Sequence, residues 1–165
     1  MREFLAALRQ YHALEHATIA VLYGKTGGRR SFLGHVTARG FCVHGEATKE
    51  LVEEAAREAL ERLQSGEREL AISPFCGANL ALAAVLVGIA AALALRGKNK
   101  AAKFPKLLIF SALALLASRF LGELLQKHLL TSSDLTGVRI EEVVEKERGR
   151  RWEVRVSTPA LRSHP

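Results

Sequence analysis

Two histidines and a glutamate lie within one helical turn near the start of the chain, in the segment Tyr11-His12-Ala13-Leu14-Glu15-His16. At 100° per residue, His12, Glu15 and His16 fall on the same apolar side of a helix. Histidines four residues apart can bind one metal ion, and an adjacent acid can take a proton from water on that ion. The segment therefore predicts a metal site whose polar groups face the core.

The spacing His-x-x-Glu-His is also the motif of the inverzincin zinc peptidases. Those far larger enzymes need a third ligand, typically a glutamate on a following helix, but the acids of the next predicted helix lie mainly on its polar side. Cys76, in the turn Pro74–Asn79, is the third ligand that we expect instead. A thiolate and two imidazoles leave the fourth zinc position open, as in catalytic sites.

A structural alternative exists for each of these residues. His12, Glu15 and His16 could form a buried hydrogen-bonded cluster without metal, in which Glu15 orients an imidazole. Cys76 could be a small buried apolar residue. The pattern alone leaves both alternatives open.

The remaining histidines carry weaker signals. His35 is expected in a loop, and His164 in the tail. His44 ends a predicted strand, on the side opposite to its apolar residues, and a surface position is favoured over a ligand role. His128 is expected to meet helix-terminal carbonyls or lipid headgroups. None of the four is predicted to be a site residue.

Two function classes are disfavoured. The chain of 165 residues carries a net charge of +7. The basic residues of the short segment 96–106 account for most of this excess, so nucleic acid is not an expected partner. The segment Gly24-Lys25-Thr26 follows a helix and lacks the upstream glycine of a phosphate-binding loop. We interpret it as a flexible connector.

The first part of the chain predicts a small α/β module over residues 1–73. Its periodicity indicates a helix over Glu3–Tyr23, a strand over Gly40–Gly45, a helix that Thr48 caps and that ends at Gln64, and a short strand over Glu69–Ile72. The order is helix, strand, helix, strand.

Residues 74–130 predict a transmembrane helical hairpin. The run Leu80–Leu95 has no charge, and a second apolar run covers Leu107–Phe120 with Arg119 inside it. The basic linker 96–106 joins them. Each run is slightly short of the roughly 20 residues that span a bilayer. A soluble helical hairpin would need a larger all-α core than this chain can supply.

The C-terminal part predicts a β-hairpin over residues 131–158, from alternating residues around Arg148-Gly149-Arg150. A hairpin is not stable alone, so we expect it to add its strands to the sheet of the first module. Residues 159–165 are expected to be disordered. The predicted fold class is therefore α+β, a small α/β module interrupted by a transmembrane hairpin and closed by a β-hairpin.

This organisation predicts a two-span protein of the bacterial plasma membrane. The positive-inside rule favours a cytoplasmic location for the linker 96–106. This orientation would place the segment before the first span outside the cytoplasm, which is unusual because no cleavable signal peptide is expected. The lipid bilayer, a peptide substrate or a partner protein are the expected partners. A second copy is a further candidate, since Ala84, Gly88 and Ala92 form a small-residue surface.

The sequence resembles a family of small bacterial membrane proteins without an assigned function. The matching stretches are His12–Ile19, Arg39–Phe41, Leu63–Glu67 and Ser73–Leu80. This resemblance would cover nearly the whole chain to Ile140, and it implies a membrane-bound bacterial protein without implying a reaction. The chain departs from the family pattern at Ser73, where the family has a histidine, which weakens a site that needs a histidine from this turn.

Three functions are consistent with the sequence. The first is a membrane-anchored zinc-dependent hydrolase, most simply a peptidase, with His12 and His16 as ligands, Cys76 as third ligand and Glu15 as general base. The second is a non-catalytic binding or structural module in which the cluster is structural. The third is a pH or redox sensor, which rests on residue type alone. Substrate and oligomeric state are not readable from the sequence.

Overall fold

A computed structural model describes residues 1–96, 103–132 and 134–162. The chain divides into two compact units. The first comprises Met1–Ile72 and Lys127–Pro165, and the second comprises Ser73–Gln126. Residues 97–102 of the predicted basic linker and residues 163–165 of the predicted tail lie outside the described residues.

The first unit combines helices with one antiparallel sheet, as the predicted α+β class requires. Its elements are α1 (Arg2–Lys25), β1 (Leu33–Thr37), β2 (Gly40–His44), α2 (Lys49–Gln64), a 3-10 turn (Arg68–Ala71), β3 (Arg139–Glu147), β4 (Arg151–Ser157) and the short α5 (Pro159–Arg162). Thr48 caps α2 as predicted, because its side-chain oxygen accepts a hydrogen bond from the Leu51 amide at 3.3 Å.

The sheet joins strands from the two ends of the chain, in the order β1-β2-β4-β3. Val43 pairs with Trp152 and Phe41 pairs with Val154 across the central strands. Because alternate residues of a strand share a face, these four side chains form the buried face of the sheet. The predicted addition of the C-terminal hairpin to the first module is confirmed.

Helix α1 lies at the centre of this unit. It packs on α2, on β1 and β2, and on the 3-10 turn, so its buried residues are spread around the helix. Its polar residues are covered by the chain after residue 127: the Arg9 guanidinium donates to the carbonyls of His128 and Thr131, and Gln10 donates to that of Asp134. Backbone carbonyls accept hydrogen bonds from these side chains, so the polar residues of α1 can be covered by protein without leaving their donors unsatisfied.

Two element predictions in this unit are wrong. The segment Glu69–Ile72 is no strand: a 3-10 turn covers Arg68–Ala71. Its backbone closes i to i+3 bonds, from Leu70 to Glu67 and from Ile72 to Glu69, and four alternating residues are too few to separate these conformations. His35, expected in a loop, lies instead in β1, whose apolar pattern is interrupted by Gly34 and His35. This strand is at the edge of the sheet and pairs on one side only.

The expected disorder of residues 159–165 is corrected for residues 159–162. Pro159–Arg162 forms one turn of helix, α5. The hydroxyl of Thr158 accepts from the amide of Ala160 at 3.2 Å, and Pro159 occupies the first helical position, where a missing N–H costs nothing. The Thr-Pro pair is a helix-start signal.

The second unit contains two apolar helices that pack on each other, α3 (Gly77–Ala94) and α4 (Lys103–Leu125). Both are long and apolar enough to cross a membrane. In the most apolar 18-residue stretch of each, only 6% of the residues of α3 are buried, and only 11% of those within Lys103–Leu130. Helices of a soluble core would be largely covered.

A polar cluster joins the two ends of this helical hairpin. The side-chain amide of Gln126, the first residue of a π-helical turn that follows α4, accepts from the Ser73 amide at 2.9 Å and donates to the Ser73 carbonyl at 3.0 Å. It also donates to Asn79 Oδ1 at 2.9 Å. The side-chain amide of Gln126 thus hydrogen-bonds both the N–H and the carbonyl of Ser73, as the backbone of a neighbouring strand would.

Candidate metal centre

His12 and His16 lie one turn apart on α1, and the structure brings their rings together. The ring centroids are 4.4 Å apart with the planes at 57°. One ring nitrogen of each lies within 4.8 Å of the other. His16 is 5% exposed, whereas His12 is half-buried. The i, i+4 spacing therefore places two imidazoles close enough to bind one ion.

A backbone carbonyl fixes the orientation of each ring. His12 Nδ1 lies 3.2 Å from the Leu130 carbonyl oxygen, and His16 Nδ1 lies 2.9 Å from that of Ala71. A carbonyl oxygen only accepts, so each Nδ1 carries the proton and donates it. The lone pair of both rings is then on Nε2. Metal-binding histidines characteristically donate their other ring N–H to a carbonyl or carboxylate in this way.

The electrostatics favour two neutral rings. Burial, followed by the nearby His12, lowers the pKa of His16 to about 4, although the bond to Ala71 opposes this shift. Burial also lowers the pKa of His12, against the bond to Leu130. A neutral imidazole is the form that binds a metal. No proton has to leave either ring near pH 7 before an ion binds.

Glu15 lies against the sheet, packed on Gly34 of β1. It is 5% exposed, and burial raises the pKa of its carboxyl group to about 7. Among the described residues, none forms a hydrogen bond or an ion pair with this carboxyl group. The expectation that Glu15 orients an imidazole is not met, because backbone carbonyls hold both Nδ1 atoms.

The predicted third ligand, Cys76, belongs to the second unit. It is the N-cap residue of α3, and its amide donates to the Ser73 carbonyl at 3.2 Å. The neighbouring Asn79, expected as a helix cap, instead donates to the carbonyls of Ser73 and Pro74 from inside the helix. The role of Cys76 as a ligand stays a prediction.

The connector after α1 behaves as a structural element. Lys25 contacts the carboxylates of Glu54 and Glu58 on α2, each at 2.8 Å. Gly27 and Gly28 adopt positive φ angles of 61° and 71°, which glycine tolerates best. The lysine that a phosphate loop would use therefore pairs with two acids.

Sequence reasoning missed three parts of this region. The carbonyls of Leu130 and Ala71 have no sequence signal, because every residue has a carbonyl. Gly34 did have one, since a glycine inside a strand indicates close approach of another group. His35, expected in a loop, lies on β1 with its ring against His44.

The comparisons with known proteins place the chain in a family without naming a reaction. A family model described as a domain of unknown function (DUF6391) matches residues 7–143. An uncharacterized protein of the cyanobacterium Picosynechococcus sp. is 34% identical over 155 residues, which cover 88% of this chain and 75% of that protein. No solved structure matches. The resemblance to an uncharacterised bacterial family is thus confirmed.

Proposed function

Because the chain belongs to the DUF6391 family, whose description assigns no reaction, we propose its function from the site: a membrane-anchored zinc-dependent hydrolase, most simply a peptidase. One observation carries the proposal. The two Nδ1 bonds to backbone carbonyls give His12 and His16 the same tautomer, with both lone pairs on Nε2 and the rings one turn apart. This is how a protein prepares two imidazoles for one ion.

The donor set suits zinc. Imidazole nitrogen and thiolate sulfur are the ligands that zinc shares with few other biological ions. Cys76 is proposed as the third ligand from the sequence: it follows Ala71, whose carbonyl holds His16, by five residues. When bound by three protein ligands, zinc lowers the pKa of water at its fourth position to about 7.

Glu15 is the proposed general base. A base works best when its pKa is near the operating pH, and burial gives Glu15 a pKa of about 7. It directly precedes the ligand His16, as the acid does in the His-x-x-Glu-His motif. In this role the carboxylate accepts a proton from water and returns it to the leaving group.

The proposed anchor is the pair α3 and α4, each with apolar side chains left exposed. The basic residues at their described ends, Arg96, Lys103 and Lys106, favour the linker 96–106 as cytoplasmic by the positive-inside rule. We propose the bacterial plasma membrane as the location. Lipid is then the partner of the exposed apolar faces, and a peptide would be the substrate.

A specific observation favours a second candidate, a non-catalytic module in which the cluster is structural. Glu15 and His16 are each only 5% exposed, whereas a catalytic site needs an opening for its substrate. A structural metal site is closed by four protein ligands. In this case the first unit would bind a partner protein at the membrane.

The first test is the metal content of dialysed, tag-free protein in detergent. We expect the parent to retain about one equivalent of tightly bound zinc that His12→Ala and His16→Ala both lose, since the site then keeps only one imidazole. His128→Ala is the matched control, because that side chain is exposed, and it should retain the metal. A parent that binds no tight zinc after reconstitution would overturn the hydrolase proposal.

The second test separates the two candidates. Parent protein loaded with zinc is incubated with a mixed peptide library, alongside Glu15→Gln and Cys76→Ser. We expect Glu15→Gln to retain its zinc and to lose at least 100-fold in cleavage rate, and Cys76→Ser to lose zinc affinity. A zinc-loaded parent that cleaves nothing would favour the structural module.

A further inference from the structure

A second pair of histidines lies on the sheet of the first unit, on neighbouring strands. His35 of β1 opposes Cys42 of β2, so His44 is its diagonal neighbour two residues further along. His44 Nε2 lies 3.2 Å from His35 Nδ1. The ring centroids are 5.1 Å apart, with the planes at 32°.

This pair faces away from α1. A Cβ atom on Gly34 would point at Glu15 on α1, and successive residues of a strand face opposite sides of the sheet. His35 therefore lies on the outer face, where it is exposed, and His44 is half-buried. An ion in solution reaches the pair without entering the core.

The spacing of the two nitrogens is that of two ligands on one ion. Nitrogens bound at about 2.0–2.1 Å to a tetrahedral ion lie about 3.3–3.4 Å apart, close to the observed 3.2 Å. We infer that His35 and His44 form a second metal site, for a divalent first-row transition ion such as Zn²⁺ or Cu²⁺. Water or an external ligand completes the coordination.

The charges around the pair favour neutral rings. Burial, then His35, then Arg151 lower the pKa of His44, and Glu147 opposes them. Arg151 is the register partner of His44 on β4, and Glu147 is the partner of Arg151 on β3. Without an ion, one proton is shared as a hydrogen bond between the rings. When an ion binds, the ring that donated this hydrogen bond takes its other tautomer, with the proton on its opposite nitrogen, and the two facing lone pairs bind the ion.

Titration of the dialysed protein in detergent tests this site. We expect parent protein to take up one equivalent of Zn²⁺ more than either His35→Asn or His44→Asn. His128→Asn, which changes another exposed histidine, should match the parent. Equal uptake by the parent and both sheet variants would overturn the inference.

Electron paramagnetic resonance with Cu²⁺ gives a second readout, independent of stoichiometry. In a His12→Ala background, where α1 no longer offers two imidazoles to one ion, the signal should show coupling to two nitrogens, which falls to one when His35 or His44 is also changed to Asn. The same titration on His12→Ala separates this inference from the proposed function. Zinc uptake at the sheet should persist there even if the tight site on α1 is lost or never existed. Loss of that uptake in His12→Ala would contradict a separate site.

Discussion

The carboxyl group of Glu15 lies directly against the backbone of Gly34. A Cβ atom at position 34 would lie 2.7 Å from Glu15 Cγ and 2.8 Å from Cδ, and closer still to Oε1. Gly34 is the second residue of β1 and has no positive φ angle. The absence of a side chain at Gly34 therefore lets α1 pack closely on β1, and the backbone of Gly34 covers one side of the buried Glu15 carboxyl group.

Gly34→Ala should destabilise the first unit, because the new methyl group forces the Glu15 side chain or β1 to move. Overpacking of this kind costs about 1–3 kcal/mol. Thermal unfolding in detergent measures the loss. In a Glu15→Ala background, the same glycine change should cost much less, because the group that it strikes is gone. Additive costs in the double variant would show that the clash is not with Glu15.

The stability of metal-free protein should depend on pH through Glu15. Burial raises the pKa of this carboxyl group in the folded protein from 4.5 to about 7, so the folded state binds the proton more tightly. Protonation of Glu15 therefore adds to the free energy of unfolding. This gain is complete below the pKa of Glu15 in the unfolded chain and is lost as the pH rises through 7, by up to about 3 kcal/mol.

Glu15→Gln removes this titration. We expect the parent to lose stability relative to Glu15→Gln between pH 5 and pH 8, as measured by chemical unfolding after chelation. His16 titrates in both proteins and cancels from the difference. A difference that stays constant across this range would show that Glu15 is not buried as its environment indicates.

A charge in the middle of α3 tests the membrane anchor. Val85 is 59% exposed, so Val85→Arg would be tolerated in a protein surrounded by water. In a bilayer it should cost about 2.5–3.5 kcal/mol of insertion. The membrane fraction after alkaline extraction reports the change, with Leu33→Arg, at a 71% exposed position of β1, as the matched control. Equal behaviour of the two variants would argue against spanning.

Gln126→Ala should loosen the second unit. The change removes three hydrogen bonds, to the amide and carbonyl of Ser73 and to Asn79. Partners left unsatisfied cost about 1–3 kcal/mol each when buried. Protease sensitivity of the turn between Ser73 and Gly77 measures the effect. Lys127→Ala, at the next exposed position, is the control and should leave cleavage unchanged.

Much of the fold was readable because long periodic segments dominate it. Helix α2 was predicted with its cap at Thr48 and its end at Gln64, and the apolar runs located α3 and α4. Strand β1 was not, since Gly34 and His35 break its pattern and the strand depends on pairing with β2. Tertiary pairing overrides weak local propensity at such edges.

Only the side chains of the candidate site could be predicted from the sequence, and not the backbone groups that hold them. Helical geometry places His12 and His16 together whatever surrounds them. The carbonyls that hold them come from Ala71 and Leu130, distant in sequence, and backbone groups carry no residue-type signal. The pairing of His35 with His44 required the register of two strands, which the sequence did not reveal.

The pairing of β2 with β4 has a consequence for how the protein is made. These strands are separated by roughly a hundred residues of chain, which takes about 5–20 s to synthesise. During this interval β2 has a neighbour on one side only, while both apolar helices leave the ribosome. Both apolar helices are therefore synthesised in full before β4 can complete the sheet that carries His35 and His44.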